Sequence, residues 1–202
     1  MKILITGGAG YVGTSLVQAL AMQPQVSTLV IYDNLSRGNY NLFLGQKLGG
    51  NCKLKFINGD LLDSRKLKNA LQDVDTVYHL AAKVTTPFAN TDGHMHEQVN
   101  HWGTAELVYA VEESPSVQRL IYTSSTSVYG SSTTEVDEST NPHPTTLYGI
   151  SKWRGEGHVK RLASKIPTYI LRLGNVYGYN PSLRFDAVIN RFMFDAHVNG
   201  RL

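Results

Sequence analysis

Tyr148 and Lys152 stand four residues apart in Tyr148-Gly149-Ile150-Ser151-Lys152, which on a helix puts a phenol and an ammonium on one face. A free phenol has a pKa of about 10, so it is a poor base at neutral pH, and bringing it to about 7 takes roughly 4 kcal/mol of preference for the phenolate. A cation about 4 Å away supplies about 4 kcal/mol at an effective dielectric of about 20. Lys152 can be one such cation. Alone the spacing says little, because 11 tyrosines in 202 residues give chance many trials. Its context adds weight, since hydroxyls crowd Tyr122-Thr123-Ser124-Ser125-Thr126-Ser127 upstream. A hydroxyl at a strand's carboxyl end can hold a reacting oxygen and relay its proton. Ser125 is the choice here, with Ser124 next, although any single hydroxyl in such a run could equally be turn chemistry.

A second group of residues suits phosphate. Gly7, Gly10 and Gly13 are spaced by three, directly after the apolar run Ile3-Leu4-Ile5. A tight turn here needs a glycine conformation, and a side chain at Gly10 would hold the backbone away from a pyrophosphate. The helix that follows offers free N–H groups and partial positive charge to an anion. Asp33 lies twenty residues beyond Gly13, placed to accept hydrogen bonds from an adenosine ribose. The full context is that of a dinucleotide site, not of a simple Gly-rich turn. Asp33 favours NAD over NADP, because a carboxylate repels a 2′-phosphate. Arg37 could pair with such a phosphate, but Asp33 holds the ribose position itself. An oxidised nicotinamide would then be the second cation beside Tyr148.

These residues need a scaffold. Lys2–Thr6, Thr28–Tyr32, Lys53–Ile57, Thr76–Leu80, Arg119–Thr123 and Thr168–Leu173 read as strands, most of them continuously apolar as for strands covered on both faces. Helical patterns alternate with them. In the first, Val12, Leu16, Ala19 and Leu20 fall on one face. Glu97–Glu113 carries apolar Val99, Leu107, Val108 and Val111, and Thr146–Ser164 has Thr145 or Thr146 as its N-cap. Residues 131–145 read as a polar loop, and Asp186–Val198 as a helix stopped by Asn199-Gly200. Such alternation predicts an α/β fold with a doubly wound parallel sheet.

Composition narrows the classes. Hydrophobic residues at 42% and charged residues at 17% suit a packed globular domain. The net charge of +3, without blocks of one sign, gives nucleic-acid binding no support. Cys52 is the single cysteine, so an internal disulfide and a Cys-rich zinc site are excluded. His94, His96 and His101 lack a completing carboxylate or cysteine at ligand spacing, so no metal is expected. No run of eighteen apolar residues predicts a membrane span, and Met1-Lys2 leads straight into a strand, so no signal peptide is expected and a cytoplasmic location is the default. Trp102 and Trp153 read as packing residues on helices. Tyr129, Tyr177 and Tyr179 lie near the predicted cleft, as rim packing or as stacking surface.

Together the segments GGAGYVG, YDNLS, NGDL, His79-Leu80-Ala81-Ala82, VNHWGT, TSSTSVYG, YGISK and RLGNVYG resemble the extended branch of the short-chain dehydrogenases/reductases, in the family's order over residues 1 to 178. The resemblance implies a Rossmann fold over 1–178 that binds NAD and carries the catalytic residues. Residues 179–202 would begin a substrate-binding region, and the lobe that completes it in family members is largely absent from this chain. It implies cofactor contacts at Gly7, Gly10, Tyr11, Val12, Gly13, Asp33, Asn34, Asp60, Leu61, Leu80, Ala81, Ala82, Asn100 and Thr123. Tyr148 matches the base, Lys152 the residue that binds the nicotinamide ribose, and Ser125 the hydroxyl partner. Ser125, Thr126 and Asn175 would meet the sugar nucleotide.

Within this branch the chain looks most like UDP-glucose 4-epimerases. Dehydratases of the branch carry Asp-Glu where this chain has Thr126 and Ser127, and related decarboxylases usually keep the Glu. The implied activity is NAD-dependent epimerisation of a nucleotide sugar, a UDP-sugar favoured. Net reduction or dehydrogenation of such a sugar, or NAD binding without catalysis, are the alternatives. A homodimer through the helices matching 97–113 and 146–164 is also implied, and the role of Lys83 is open.

Overall fold

The computed structural model describes residues 1–44, 49–84 and 92–201. Six parallel strands form one sheet: β1 (Lys2–Thr6), β2 (Thr28–Asp33), β3 (Lys53–Asn58), β4 (Thr76–His79), β5 (Arg119–Ser125) and β6 (Thr168–Leu173). Their order is β3-β2-β1-β4-β5-β6. The order reverses between β1 and β4, and that is where an open α/β sheet leaves a crevice at its carboxyl edge.

Alternation along β1 and β2 builds two cores. Leu4, Val30 and Tyr32 face a cluster with Leu67, Leu107, Val108, Leu120 and Tyr122. Ile3, Ile5, Leu29 and Ile31 face a second one with Val17, Ala21 and Leu42. Burying each such aliphatic side chain contributes about 1.5–3 kcal/mol. The expectation of strands covered on both faces holds for β1, β2, β4 and β5 but not at the edges. In β3, Lys53 and Lys55 are exposed, and in β6, Tyr169 and Leu171 are. Each edge strand pairs on one side only, and the lysines on β3 suit an edge.

The helices are α1 (Tyr11–Ala21), α2 (Ser64–Ala70), α3 (Gly93–His96), α4 (Gly103–Glu112), α5 (Leu147–Leu162) and α6 (Val188–Asn199). A π-helical stretch, Glu97–Trp102, joins α3 to α4. The face expected for α1 is wrong in part. Gly13, Thr14, Val17 and Ala21 are buried, Leu16 and Leu20 only partly, and Ala19 is exposed. Close approach to the sheet selects small residues over large ones, which a purely apolar count overlooks. The two tryptophans sit on helical segments and pack only in part: Trp102 is 53% and Trp153 43% exposed, and Trp102 stacks on His101 at 4.9 Å. Helix α2 is capped by the Asp63 carboxylate, which accepts from the Lys66 amide at 3.0 Å; it escaped the sequence reading because it is a short polar segment. Thr146 caps α5 through the Gly149 amide at 3.0 Å, and Gly200 ends α6 with φ 66°, both as expected.

A buried chain of hydroxyls ties β1 to β4 and α4. Thr104 Oγ1 donates to the Asn100 carbonyl at 2.7 Å, so it accepts from His79 Nε2 at 2.9 Å. Thr6 Oγ1 then donates to His79 Nδ1 at 2.7 Å. His79 is therefore a neutral imidazole, and burial, helped by the Lys152 charge, depresses its pKa from 6.5 to about 3. The unfolded chain takes up this proton near pH 6.5 and the folded chain only near 3. The stability that a neutral His79 contributes is thus fully present above about 6.5 and is lost as pH falls toward 3. Imidazole NMR at about pH 5, where a free histidine is mostly charged, is expected to show His79 neutral with its proton on Nε2. A charged ring there would refute the network.

Candidate active site

Two adjoining cavities open at the carboxyl ends of the strands. The first, about 310 Å³, is lined by Gly7, Gly10, Tyr11, Val12, Gly13, Asp33, Asn34, Asp60, Leu61, Leu80, Ala81 and Ala82, together with Leu35, Ser36, Arg37 and Asn39. The second, about 470 Å³, is lined by Thr123, Ser124, Ser125, Ser127, Tyr148, Lys152, Asn175 and Tyr177, among others. Tyr11, Val12, Leu80, Ala82, Val84 and Arg184 belong to both walls, so the two form one continuous cleft.

The glycine turn fits a pyrophosphate for a steric reason. Gly7 has φ +70°, and a Cβ there would lie 2.6 Å from the Ala81 nitrogen across the β1–β4 crevice. A Cβ on Gly13 would lie 2.4 Å from the Gly7 carbonyl oxygen. The turn therefore closes onto α1 only without side chains, and among the described residues no side chain caps α1. Its first-turn amides and the positive end of the helix dipole remain for an anion. Asp33 does more than face a ribose. Its carboxylate accepts from the Ala9 amide at 3.0 Å and the Leu35 amide at 2.8 Å, stapling the glycine turn to β2. A carboxylate has about four lone-pair sites, so it keeps capacity for ribose hydroxyls. Asn34 Nδ2 donates to the Asp60 carboxylate at 2.9 Å, fixing the far wall.

Helix α5 delivers Tyr148 and Lys152 to the second cavity, and the end of β5 delivers Ser125. Ser125 Oγ accepts from the Ser127 amide at 3.1 Å, which leaves its own proton to donate. Lys152 is only 2% exposed; its Nζ donates to the Thr123 carbonyl at 2.7 Å and sits 4.8 Å from the centre of the Tyr122 ring. Burial lowers Lys152 to about 7, opposed by the Glu156 charge. The expected electrostatics of Tyr148 need correction. Burial pushes the phenol above its ordinary value; the Ser125 hydroxyl and the Arg184 charge pull it down, and Lys152 is not among the groups that do so. The physical reason is that desolvation outweighs the polar partners, and Lys152 spends its ammonium on a backbone carbonyl. His96 packs edge-on against the Tyr148 ring at 5.8 Å and holds it in place.

Two predicted site residues do not reach the cleft. Asn100 is fully buried and clamps the Lys83 backbone, accepting from its amide at 2.8 Å and donating to its carbonyl at 2.9 Å. It shapes the wall from behind. Thr126 is exposed outside both linings, and its neighbour Ser127 faces the cavity instead. Lys83 lines the first cavity and pairs with Asp92 at 3.4 Å. Tyr177 stands on the rim, 64% exposed, whereas Tyr179 is 91% exposed and Tyr129 accepts from Arg172 at 2.9 Å beneath the site. The residues that sequence reasoning missed are Arg184 and Asp186. Arg184 forks onto Asp186 at 3.1 and 3.0 Å, and Asp186 also meets Arg37 at 3.1 Å. Burial alone would raise Asp186, but Arg184 and Arg37 outweigh it and hold it at about 2. Arg37 is thus engaged by a carboxylate of its own chain, which fits the choice of NAD made from Asp33.

The sequence profile of the NAD dependent epimerase/dehydratase family matches residues 3–199. An uncharacterized UDP-glucose epimerase, YtcB, of Bacillus subtilis (strain 168) is 31% identical over 201 residues, covering 96% of this chain and 63% of the relative. The dTDP-D-glucose 4,6-dehydratase of Homo sapiens is 33% identical over 199 residues, covering 95% and 55%. Among solved structures, UDP-glucuronic acid 4-epimerase from Bacillus cereus in complex with NAD is 31% identical with a TM-score of 0.82, covering all of this chain and 64% of that one. MoeE5 in complex with UDP-glucuronic acid and NAD is 28% identical with a TM-score of 0.82, covering 99% and 62%. The chain thus spans between 55% and 64% of the length of these relatives.

Proposed function

Since the chain belongs to the NAD-dependent epimerase/dehydratase family, we propose that it carries the NAD-binding and catalytic part of a nucleotide-sugar 4-epimerase, with a UDP-sugar as substrate. Residues 179–202 begin the region that holds the sugar nucleotide, with Asn175 at its edge. Gly7, Gly10, Gly13 and Asp33 of the first cavity and Lys152 of the second would hold NAD, which would supply reversible hydride acceptance without net oxidation. With the cofactor's positive charge added to the pull of Ser125 and Arg184, which burial alone outweighs, the Tyr148 oxygen would ionise, take the proton of the sugar hydroxyl and later return it. The proton of Ser125 would steady the reacting oxygen, and Lys152, held by the Thr123 carbonyl, would orient the cofactor's ribose.

One observation carries the choice of epimerisation over loss of water. Tyr148, Ser125 and Lys152 converge in the second cavity, and among the described residues lining it the only carboxylate is Asp186, which two guanidiniums already hold. Elimination would need a further acid and base beside Tyr148, and among the described residues this wall has no free carboxylate to serve. The test is to incubate the full-length protein with NAD and a panel of UDP-sugars and to analyse the products. A 4-epimer without accumulating NADH is expected. Steady NADH production would assign a dehydrogenase, a keto-deoxy sugar a dehydratase, and binding without turnover an NAD module.

A further inference from the structure

The segment 178–190 is tied to both walls of the cleft. Asn180 Nδ2 donates to the Tyr11 carbonyl at 2.9 Å, and the Ser182 and Thr14 hydroxyls pair at 2.9 Å, so its start lies on the first turn of α1. Asn190 Oδ1 accepts from the Gly178 amide at 3.0 Å and its Nδ2 donates to the Arg184 carbonyl at 3.0 Å, which closes the segment on itself. Asn180, Ser182 and Asn190 are all buried. From this base the segment also reaches the opposite wall. Asn41 Nδ2 donates to the Pro181 carbonyl at 2.8 Å, and Asp186 pairs with Arg37.

Asp186 lines the catalytic cavity, Arg37 lines the dinucleotide cavity, and Arg184 lines both. We propose that Arg37, Asp186 and Arg184 form a clasp that retains the bound dinucleotide between turnovers, with Asp186 as its fastening. The Arg37–Asp186 pair joins the two walls, and a dinucleotide lying across both cavities leaves more easily once it opens. That retention matters to the reaction rests on the epimerase reading, because a cycle that returns its hydride has no reason to release the cofactor. The clasp itself is independent of that reading and is tested on release alone.

The experiment loads full-length protein with labelled NAD, dilutes it into excess unlabelled NAD and follows release of the label. Ion pairs this exposed shift an equilibrium by about fivefold at most, so Asp186→Asn is expected to speed release by about fivefold. Arg37→Gln should do the same, and combining the two should add nothing. Exchanging the charges, Arg37→Asp with Asp186→Arg, should recover much of the slow release. Raising the salt should speed release from the parent protein more than from Asp186→Asn. Release from Asp186→Asn within twofold of the parent would overturn the clasp, as would singles whose effects multiply. Because release needs no sugar, a failed epimerase assay with these results intact would sink only the proposed reaction.

Discussion

Replacing Tyr148 by Phe is expected to lower turnover about a thousandfold while leaving NAD affinity within about twofold, in line with the 10²–10⁴-fold that a positioned acid–base group supplies. The substitution removes one oxygen and little else. The ring keeps its contact with His96 and its place on the buried side of α5. Ser125 still accepts from the Ser127 amide. The glycine turn, Asp33 and the Asn34–Asp60 contact lie in the other cavity and are untouched. Product analysis with a UDP-sugar gives the turnover, and titration calorimetry with NAD gives the affinity. Turnover within tenfold of the parent would show that another group moves the proton. A large loss of NAD affinity would show that Tyr148 serves binding instead.

The second large effect is on stability. Glu156 lies one turn beyond Lys152 on α5 with its side chain fully buried. Its carboxylate accepts from Arg172 at 2.9 and 2.8 Å and from the Ser124 hydroxyl at 2.6 Å, and Lys160 stands 3.5 Å away. Burial would push its pKa up, but Arg172 and Ser124 outweigh that and hold it below the ordinary value. Breaking such a pair by removing one charge leaves the other uncompensated and costs about 3–5 kcal/mol. Glu156→Gln should therefore lower the thermal midpoint by roughly 10 °C, at about 2–4 °C per kcal/mol for a chain of this size. Replacing both partners, Glu156→Leu with Arg172→Met, should recover most of the loss, because the uncompensated charge disappears. A single-variant drop below about 3 °C would mean that solvent reaches the pair. Glu156 also raises the pKa of Lys152, so its loss should make the lysine easier to discharge.

What could be read along the chain was local. The glycine spacing, the acid after β2, the Tyr148–Lys152 pairing and the Thr146 cap each depend on residues within a turn or one strand–helix unit. Backbone geometry enforces such relations whatever the rest of the molecule does. The apolar runs gave all six strands within two residues of their ends. Asn100 marks the limit of this reading: its family motif is local, but its partners are the Lys83 backbone and Ser151, and only packing brings them to it. The face of α1 failed similarly, because a helix pressed on a sheet selects small residues rather than greasy ones.

By itself, the sequence determined the class of fold and the glycine turn, and it singled out Tyr148, Lys152 and Ser125 as the candidates that the structure brings to one cavity. The tertiary structure alone decided that burial raises the Tyr148 phenol, that Glu156 and Arg172 brace the ends of β5 and β6, and that Asp186 meets Arg37 across 149 residues of chain. The reason is range. Hydrogen-bond geometry and helix periodicity act between near neighbours, while desolvation and ion pairing depend on what the folded chain carries alongside.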